Sequence, residues 1–353
     1  MMISGFSALT PYLYKPFDPR AYRVNIGDGF ILRAIERKIG KVALDLLFPA
    51  HVNPPADQYA RLKKSRFTVL AGANQLQDNF TPWAGLKADQ IRKDNLRFVP
   101  FGVGISGKPG GGLDLTEDAK EILRAIHEKI EFSSWRCPRT VAALERHLPE
   151  LKGRFLMTCC PVALDTPLME GKAFREGDKT IAVTITDRDD FWDREMPMLH
   201  RLAERFPKSR RVLVLHNDYA PPFVTASRIE QLRLPRKLVG NVLGARTLAR
   251  KLGYEVWMPK SADEALAFYR NTADMHFGSR LHAHLLMLSW NKKSFLVSVD
   301  ERMAGFSEYL GFPLCDGAKI DSYLDFDFEI VRKQAQKADV VMRKFTTYLQ
   351  TLA

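Results

Sequence analysis

The sequence is poor in cysteine and has no long apolar run. Only four cysteines occur among the 353 residues: Cys137, Cys159, Cys160 and Cys315. None has metal-ligand spacing, and in a chain this long we expect reduced, mostly buried thiols. No stretch approaches the ~20 apolar residues of a membrane-spanning helix, and the first twenty residues lack the basic and apolar regions of a signal peptide. These absences predict a cytoplasmic protein.

The chain also lacks the charge pattern of nucleic-acid-binding proteins. Lysine and arginine outnumber aspartate and glutamate by 53 to 41, which gives a formal net charge of +12. The basic residues are scattered, and aromatic residues do not alternate with them. We therefore expect no nucleic-acid partner. The positive charge suits anionic small molecules and would permit peripheral contact with the anionic inner face of a membrane.

Signals for a metal or a phosphate-binding loop are missing as well. No Asp-x-Asp segment or His/Asp cluster argues for a metal, so we expect neither a metal nor another cofactor. The segment "SGKPGGG" (106–112) has the glycines of a phosphate-binding loop but no Lys-Ser/Thr pair. Pro109 also prevents a helix from starting directly after the lysine. We interpret this segment as a flexible loop.

What the chain does have is a regular alternation of short apolar runs and amphipathic helices. This pattern is typical of βαβ units with largely parallel sheets. The length, with 46% hydrophobic residues, allows two cores. We predict an α/β fold of two Rossmann-like, doubly wound domains that face each other across a cleft. The N-terminal domain would span 1–172 and the C-terminal domain 173–325, and a docking helix at 326–353 could return to the first domain.

The start of one apolar helix carries the strongest candidate site. In "FGSRLHAHLLMLSW" (277–290), Ser279 is expected to cap a helix whose first turn contains Arg280 and His282. Free first-turn amides and a guanidinium together form a natural anion site. His282 would be able to transfer a proton once an anion binds beside it.

A structural interpretation of the same stretch stays open. Histidines in apolar helices are commonly hydrogen-bonded core residues, and an arginine at a helix start is commonly solvated or ion-paired. We assign this structural role to His284, one turn beyond Arg280, and to His276 in the preceding strand.

Two glycine-containing turns in the first half also carry polar residues. Glycine allows the backbone to approach a ligand closely, and neighbouring polar side chains can hydrogen-bond it. The alternative for the first turn is an ordinary turn before a helix. The candidate cleft residues from these turns are Asn25, Gly27, Asp28, Gly72 and Asn74.

The order of these motifs resembles the polysaccharide pyruvyl transferase family. The resemblance rests on "NIGD", "PFGVGISG", "SSWRCPRTVAAL" and "GSRLHAHLLML" followed by "KSFLVSVDERMAGFSEYLGFP". It implies a GT-B-like fold and a transferase that moves the pyruvyl group of phosphoenolpyruvate onto two hydroxyls of a sugar. The product would be a cyclic ketal and free phosphate. The sugar would belong to a cell-surface polysaccharide or to its lipid-linked precursor, with the first domain on the acceptor side.

The resemblance also implies roles for individual residues. His282 matches the family's catalytic histidine, and Arg136 matches its SxR arginine, with a catalytic and donor-binding role. Arg302 stands where the family usually has a donor-binding lysine. Together with Arg280 and Ser279, these residues would hold the carboxylate and phosphate of the donor.

The sequence departs from the family pattern next to Arg136. Cys137 stands where an acid commonly follows the arginine, and a second arginine, Arg139, competes with Arg136 for the donor. Two other functions therefore stay open. One is a GT-B glycosyltransferase with a nucleotide-sugar donor, for which Glu301 and Glu308 could hold the ribose. The other is a non-catalytic family member.

Overall fold

The structure is a computed structural model that describes most of the chain. The described residues are 6–9, 26–39, 47–48, 53–72, 74–105, 112–165, 168, 170–186, 192–216, 236–297 and 301–352. Asn25 and most of the loop at 106–112 lie outside these ranges.

Strands and helices alternate along the described chain, as the sequence pattern predicts. The strands are β1 (Phe6–Leu9), β2 (Leu47–Phe48), β3 (Phe67–Ala71), β4 (Phe98–Phe101), β5 (Ser133–Trp135), β6 (Phe155–Met157), β7 (Thr180–Thr184), β8 (Arg210–Val214), β9 (Glu255–Trp257), β10 (Met275–Gly278), β11 (Ser294–Val297) and β12 (Leu314–Cys315). The α-helices are α1 (Ile26–Ile39), α2 (Ala56–Lys64), α3 (Ala88–Lys93), α4 (Glu117–His127), α5 (Pro138–His147), α6 (Trp192–Arg205), α7 (Arg236–Lys251), α8 (Ala262–Asn271), α9 (Leu281–Ser289), α10 (Glu301–Leu310) and α11 (Glu329–Leu352).

The first sheet is parallel and has the order β2-β1-β3-β4. A pair formed by β5 and β6 continues it, since the Gly102 amide donates to the Ser134 carbonyl at 3.0 Å. Every residue of β3 is buried, because helices cover both faces of a parallel sheet. The polar residues after β3 therefore emerge at its carboxyl edge.

The second sheet is also parallel and has the order β12-β11-β10-β7-β8-β9. This is the strand order of a Rossmann fold, in which the chain builds outward from the first strand in one direction and then in the other. The order reverses between β7 and β10, so a crevice opens at their carboxyl ends. Ligands of doubly wound folds bind at such a switch point.

The last helix connects the two sheets. Its buried apolar stripe follows helical spacing: Val331, Ala335, Ala338, Met342, Phe345 and Leu349. At its start, Arg332 hydrogen-bonds the Asn291 side chain of the second sheet's domain at 3.1 Å. Toward its end, Phe345 packs edge-to-face on Phe101 of the first sheet at 5.1 Å. The helix therefore begins on one domain and ends on the other.

Helix α1 follows the first strand but lies against the second domain. The Ile26 amide donates to the His216 carbonyl at 3.2 Å, and Arg33 Nε donates to Asp263 of α8 at 2.8 Å. The helix also packs against α9. Its first turn, which contains Asp28, is thereby placed where the two domains meet.

Several histidines are buried as neutral core residues. His276 bonds Ser294 Oγ through Nδ1 and Thr184 Oγ1 through Nε2, both at 2.8 Å. His284 Nδ1 shares the same Ser294 hydroxyl at 2.8 Å. Burial lowers the pKa of His276 to about 3 and that of His284 well below its usual range. Both histidines have the structural role that the sequence assigns to them.

We expect these histidines to make the protein acid-labile. Burial lowers the pKa of His127 and His216 as well. Below pH 6.5 the unfolded chain binds protons that the folded chain does not, so each histidine costs about 1.4 kcal/mol of unfolding free energy per pH unit. Asp28 acts in the opposite direction, because its folded pKa is raised to about 6. The melting temperature should fall clearly as the pH is lowered from 7 to 5. An unchanged melting temperature would contradict the burial of these histidines in the neutral form.

Within the ranges that the structure describes, no helix combines the length and the apolar character of a membrane-spanning segment.

Candidate active site

A glycine at the end of β10 allows this strand to approach the end of β7 closely. Gly278 has a φ of +145°, and a Cβ at this position would lie 2.0 Å from the Thr184 carbonyl oxygen. Only glycine permits this approach. The chain then turns into α9, all of whose residues are buried, which accounts for the apolar sequence of this helix.

The helix starts one residue later than predicted. Arg280 occupies the N-cap position, and Leu281 is the first helical residue. The expectation that Ser279 caps the helix is therefore wrong. Its hydroxyl instead donates to the carboxylate of Glu195 from α6, and its amide donates to the Thr184 carbonyl at 3.2 Å. Both groups of Ser279 hydrogen-bond residues of the second domain, so Ser279 orients the turn that precedes α9.

Arg280 and His282 lie at the mouth of this crevice. Arg280 Nε donates to the Ile185 carbonyl at 2.8 Å, which directs its guanidinium along the carboxyl edge of the sheet. His282 is 6% exposed, and its Nε2 has no hydrogen-bond partner within the described part of the chain. Burial, together with the nearby charges of Arg136 and Arg302, holds the pKa of His282 well below its usual range.

Arg136 reaches the same place from the first domain. It follows β5 directly, is 1% exposed, and hydrogen-bonds the Asn74 side chain. A Cβ at Gly104 would lie 2.0 Å from Arg136 Nε. Gly104 thus makes room for the guanidinium, and the predicted cleft residue Asn74 contacts Arg136, the predicted catalytic and donor-binding residue.

Asp28 is the acidic member of the cluster. It lies in the first turn of α1 and is partly buried. Burial raises its pKa to about 6, against the opposing charges of Arg302, Arg136 and Arg280. Among the described residues its carboxylate has no hydrogen bond or ion pair. It is therefore a carboxyl group with three guanidinium charges nearby and a pKa of about 6.

The structure thus brings together Asp28, Asn74, Arg136, Arg280, His282 and Arg302. It does not bring every predicted residue into contact with them. Arg139 forms an ion pair with Glu308 of α10, and Gly72, with a φ of +64°, packs against Ile31 of α1. Gly27 is buried in the first turn of α1, beside Asp28.

Sequence reasoning missed residues that support this cluster. Glu195 is 1% exposed and accepts from both the Ser279 hydroxyl and the Thr186 amide. Its position early in the helix after β7 was the available signal, since that turn faces the switch point. Gly104 and Thr184 gave no signal, because their importance lies in contacts with residues distant in sequence.

The chemistry of the cluster suits an anionic ligand. Three guanidinium groups can each hold a carboxylate or phosphate through paired hydrogen bonds. Among the described residues, no group of His, Cys, Asp and Glu side chains could hold a metal ion. The four cysteines are buried and free of disulfides. The cluster therefore combines three guanidinium groups with two side chains that can exchange a proton, Asp28 and His282.

Solved structures define the fold as GT-B-like. The S. aureus MnaA protein in complex with UDP superposes with a TM-score of 0.50 at 12% identity, covering 98% of this chain and 96% of that one. The Neisseria meningitidis UDP-GlcNAc 2-epimerase bound to UDP-GlcNAc gives a TM-score of 0.50 at 10% identity, covering 98% and 100%. The predicted pair of Rossmann-like domains is confirmed.

The sequence match is more specific than the fold. The profile of the family described as "Polysaccharide pyruvyl transferase" matches residues 25–301, which include every member of the cluster except Arg302. The chain belongs to the polysaccharide pyruvyl transferase family and is a transferase. No curated protein matches the sequence.

Proposed function

We propose that the protein transfers the pyruvyl group of phosphoenolpyruvate to two hydroxyls of a saccharide, forming a cyclic ketal and releasing phosphate. The observation that supports this best is the convergence of Arg136, Arg280 and Arg302 around His282 and Asp28. Phosphoenolpyruvate carries one carboxylate and one phosphate, so it needs two or three cationic anchors and one proton donor.

The donor would bind between the domains. Arg136 comes from the first domain, while Arg280 and Arg302 come from the second. Paired guanidinium hydrogen bonds would hold the carboxylate and the phosphate at opposite ends of the molecule. The net charge of +12 would increase the rate of encounter with this anion.

His282 would protonate the donor's methylene carbon. In the free protein its pKa is depressed by burial and by Arg136 and Arg302, so the ring is neutral. A bound anion offsets the two guanidinium charges and favours the imidazolium. The catalytic acid is thereby charged only when the donor is present, which is the arrangement that general acid catalysis needs.

Asp28 would accept the proton of the attacking hydroxyl. Protonation of the methylene makes C2 electrophilic, the hydroxyl oxygen bonds to C2, and its proton passes to Asp28. When the C2–O bond to phosphate breaks, protonated Asp28 returns that proton to the leaving phosphate. The oxygen of the second hydroxyl then bonds to C2 and closes the ketal while its proton passes to Asp28, and transfer of this proton to His282 restores both groups.

The acceptor is proposed to be a sugar of a cell-surface polysaccharide or its lipid-linked precursor. Asp28 and Asn74 belong to the first half of the chain, which supports an acceptor bound next to them. A lipid-linked acceptor would bring this basic protein to the inner face of the membrane, in contact with anionic lipid. We propose that the reaction requires no metal or other cofactor.

Thermal denaturation with added ligand tests the donor. Phosphoenolpyruvate should raise the melting temperature of the wild-type protein, because a ligand of the folded state stabilises it by mass action. UDP-GlcNAc should not. The Arg136→Ala and Arg302→Ala variants should lose the shift, since each removes a charge-assisted contact of about 1.5–3 kcal/mol.

Arg210→Ala is the matched control for these variants. Arg210 is half-exposed and pairs with Glu255 far from the cluster, so this variant should keep the full shift. A shift with UDP-GlcNAc alone would indicate a nucleotide-sugar donor instead. If Arg136→Ala keeps the full rise in melting temperature with phosphoenolpyruvate, Arg136 does not bind the donor.

A further inference from the structure

One ion pair joins the two domains beside the candidate site. Arg139 lies in the first turn of α5, between β5 and β6 of the first sheet. Glu308 lies in the last turn of α10, between β11 and β12 of the second sheet. Arg139 Nε donates to Glu308 Oε2 at 2.9 Å, and a terminal nitrogen of the same guanidinium contacts the other carboxylate oxygen. The pair is therefore bidentate, the geometry that holds two groups in one orientation.

The two helices are in close contact around this pair. A Cβ at Gly305 of α10 would lie 3.3 Å from Cys137 Sγ and 3.5 Å from Arg139 Cδ. The absence of a side chain at Gly305 lets α10 approach the start of α5. The contact therefore combines a close-packed glycine with a directional ion pair.

Arginines of the proposed donor site lie at the N-terminal ends of both helices. Arg136 lies two residues before the first residue of α5, and Arg302 is the second residue of α10. Movement of the second domain away from the first would separate Arg302 from Arg136, and both arginines influence the carboxylate of Asp28. A contact that holds α5 against α10 therefore helps to fix the distance between the donor-binding arginines.

We propose that the Arg139–Glu308 pair is an interdomain clasp that positions Arg302 against the donor. This inference rests on the proposed function and gives Arg139 a role other than direct contact with the donor. Arg139 is 36% and Glu308 55% exposed. Because exposed ion pairs are individually weak, we expect an effect on donor affinity of about fivefold rather than its complete loss.

Charge reversal at each position, alone and together, tests the clasp. The variants are Arg139→Glu, Glu308→Arg and the double exchange, with the dissociation constant for phosphoenolpyruvate measured by calorimetry. Each single reversal places two like charges together and should weaken binding about fivefold or more, and the double exchange should restore it to within about twofold.

The single reversals distinguish a clasp from a change in the electrostatic field at the donor site. If only the field matters, Glu308→Arg adds positive charge near an anion and should tighten binding, while Arg139→Glu should weaken it. The double exchange would then show the sum of the two effects. Opposite effects of the single reversals, or no restoration in the double exchange, would overturn the clasp.

A matched pair and a second measurement complete the test. Arg210 and Glu255 form an ion pair of similar exposure within the second sheet, so their reversals should leave donor affinity unchanged. Amide hydrogen exchange needs no donor: the single reversals should increase exchange in α10, and the double exchange should reverse this. If the wild type fails to bind phosphoenolpyruvate, the proposed function is wrong, and unchanged exchange in α10 would separately refute the clasp.

Discussion

Replacement of Asp28 by asparagine is expected to reduce pyruvyl transfer about 100-fold or more, because the amide cannot accept the hydroxyl proton. Donor binding should become at least as tight as in the wild type, since the change removes a negative charge that faces Arg136, Arg280 and Arg302. The measurement is phosphate release at saturating phosphoenolpyruvate with a panel of methyl hexopyranosides as acceptors. Donor affinity is measured in parallel by calorimetry.

The pH dependence supplies an independent readout of the same residue. A catalytic base must be deprotonated, so kcat/KM should fall as the pH drops through the pKa of Asp28, about 6 in the free protein. Asp28→Asn should lack this acidic limb. Asp321→Asn, which alters a carboxylate paired with Arg201 on the protein surface, should keep both the rate and the limb. Wild-type turnover in Asp28→Asn would exclude Asp28 as the base.

Replacement of His282 by alanine should also lower turnover by about 100-fold or more, as expected for loss of a general acid. Phosphoenolpyruvate should still bind, because the three arginines remain and the histidine is neutral in the free protein. The two measurements are phosphate release and the donor-induced rise in melting temperature. If phosphate release slows while the donor-induced rise in melting temperature is kept, His282 acts in the chemical step.

His200→Ala is the control for this variant, since His200 is exposed on α6. It should keep wild-type turnover. Equal turnover in His282→Ala would remove His282 from the mechanism and leave it as a buried residue at a helix start. The two substitutions also differ in an informative way, because only the change at Asp28 should tighten donor binding.

Local patterns in the sequence were sufficient to predict the architecture. Apolar runs alternating with amphipathic helices predict parallel sheets, since each helix connects two neighbouring strands. Thr116 precedes a segment with acidic residues in its first turn, and its hydroxyl caps the helix there by accepting from the Ala119 amide. The buried stripe of α11 follows from helical periodicity in the same way. These features depend on residues close in sequence, so they can be read without knowledge of the fold.

The composition of the candidate site was only partly accessible from the sequence. The motif around Arg280 and His282 identified one part of the candidate site, because free first-turn amides and a guanidinium together can bind an anion. The sequence left Arg136 and Arg139 as competitors for the donor. The structure places Arg136 beside His282 and pairs Arg139 with Glu308, although both arginines lie within one short segment.

The sequence by itself therefore determined the elements, their order and the family to which the chain belongs. The tertiary structure alone decided which charges meet: Asp28 with three arginines, Ser279 with Glu195, and Arg139 with Glu308. These partners are separated by many strands and helices, and the strand order of the two sheets determines whether they converge. Burial then sets their pKa values, because the cost of desolvating a charge depends on everything packed around it.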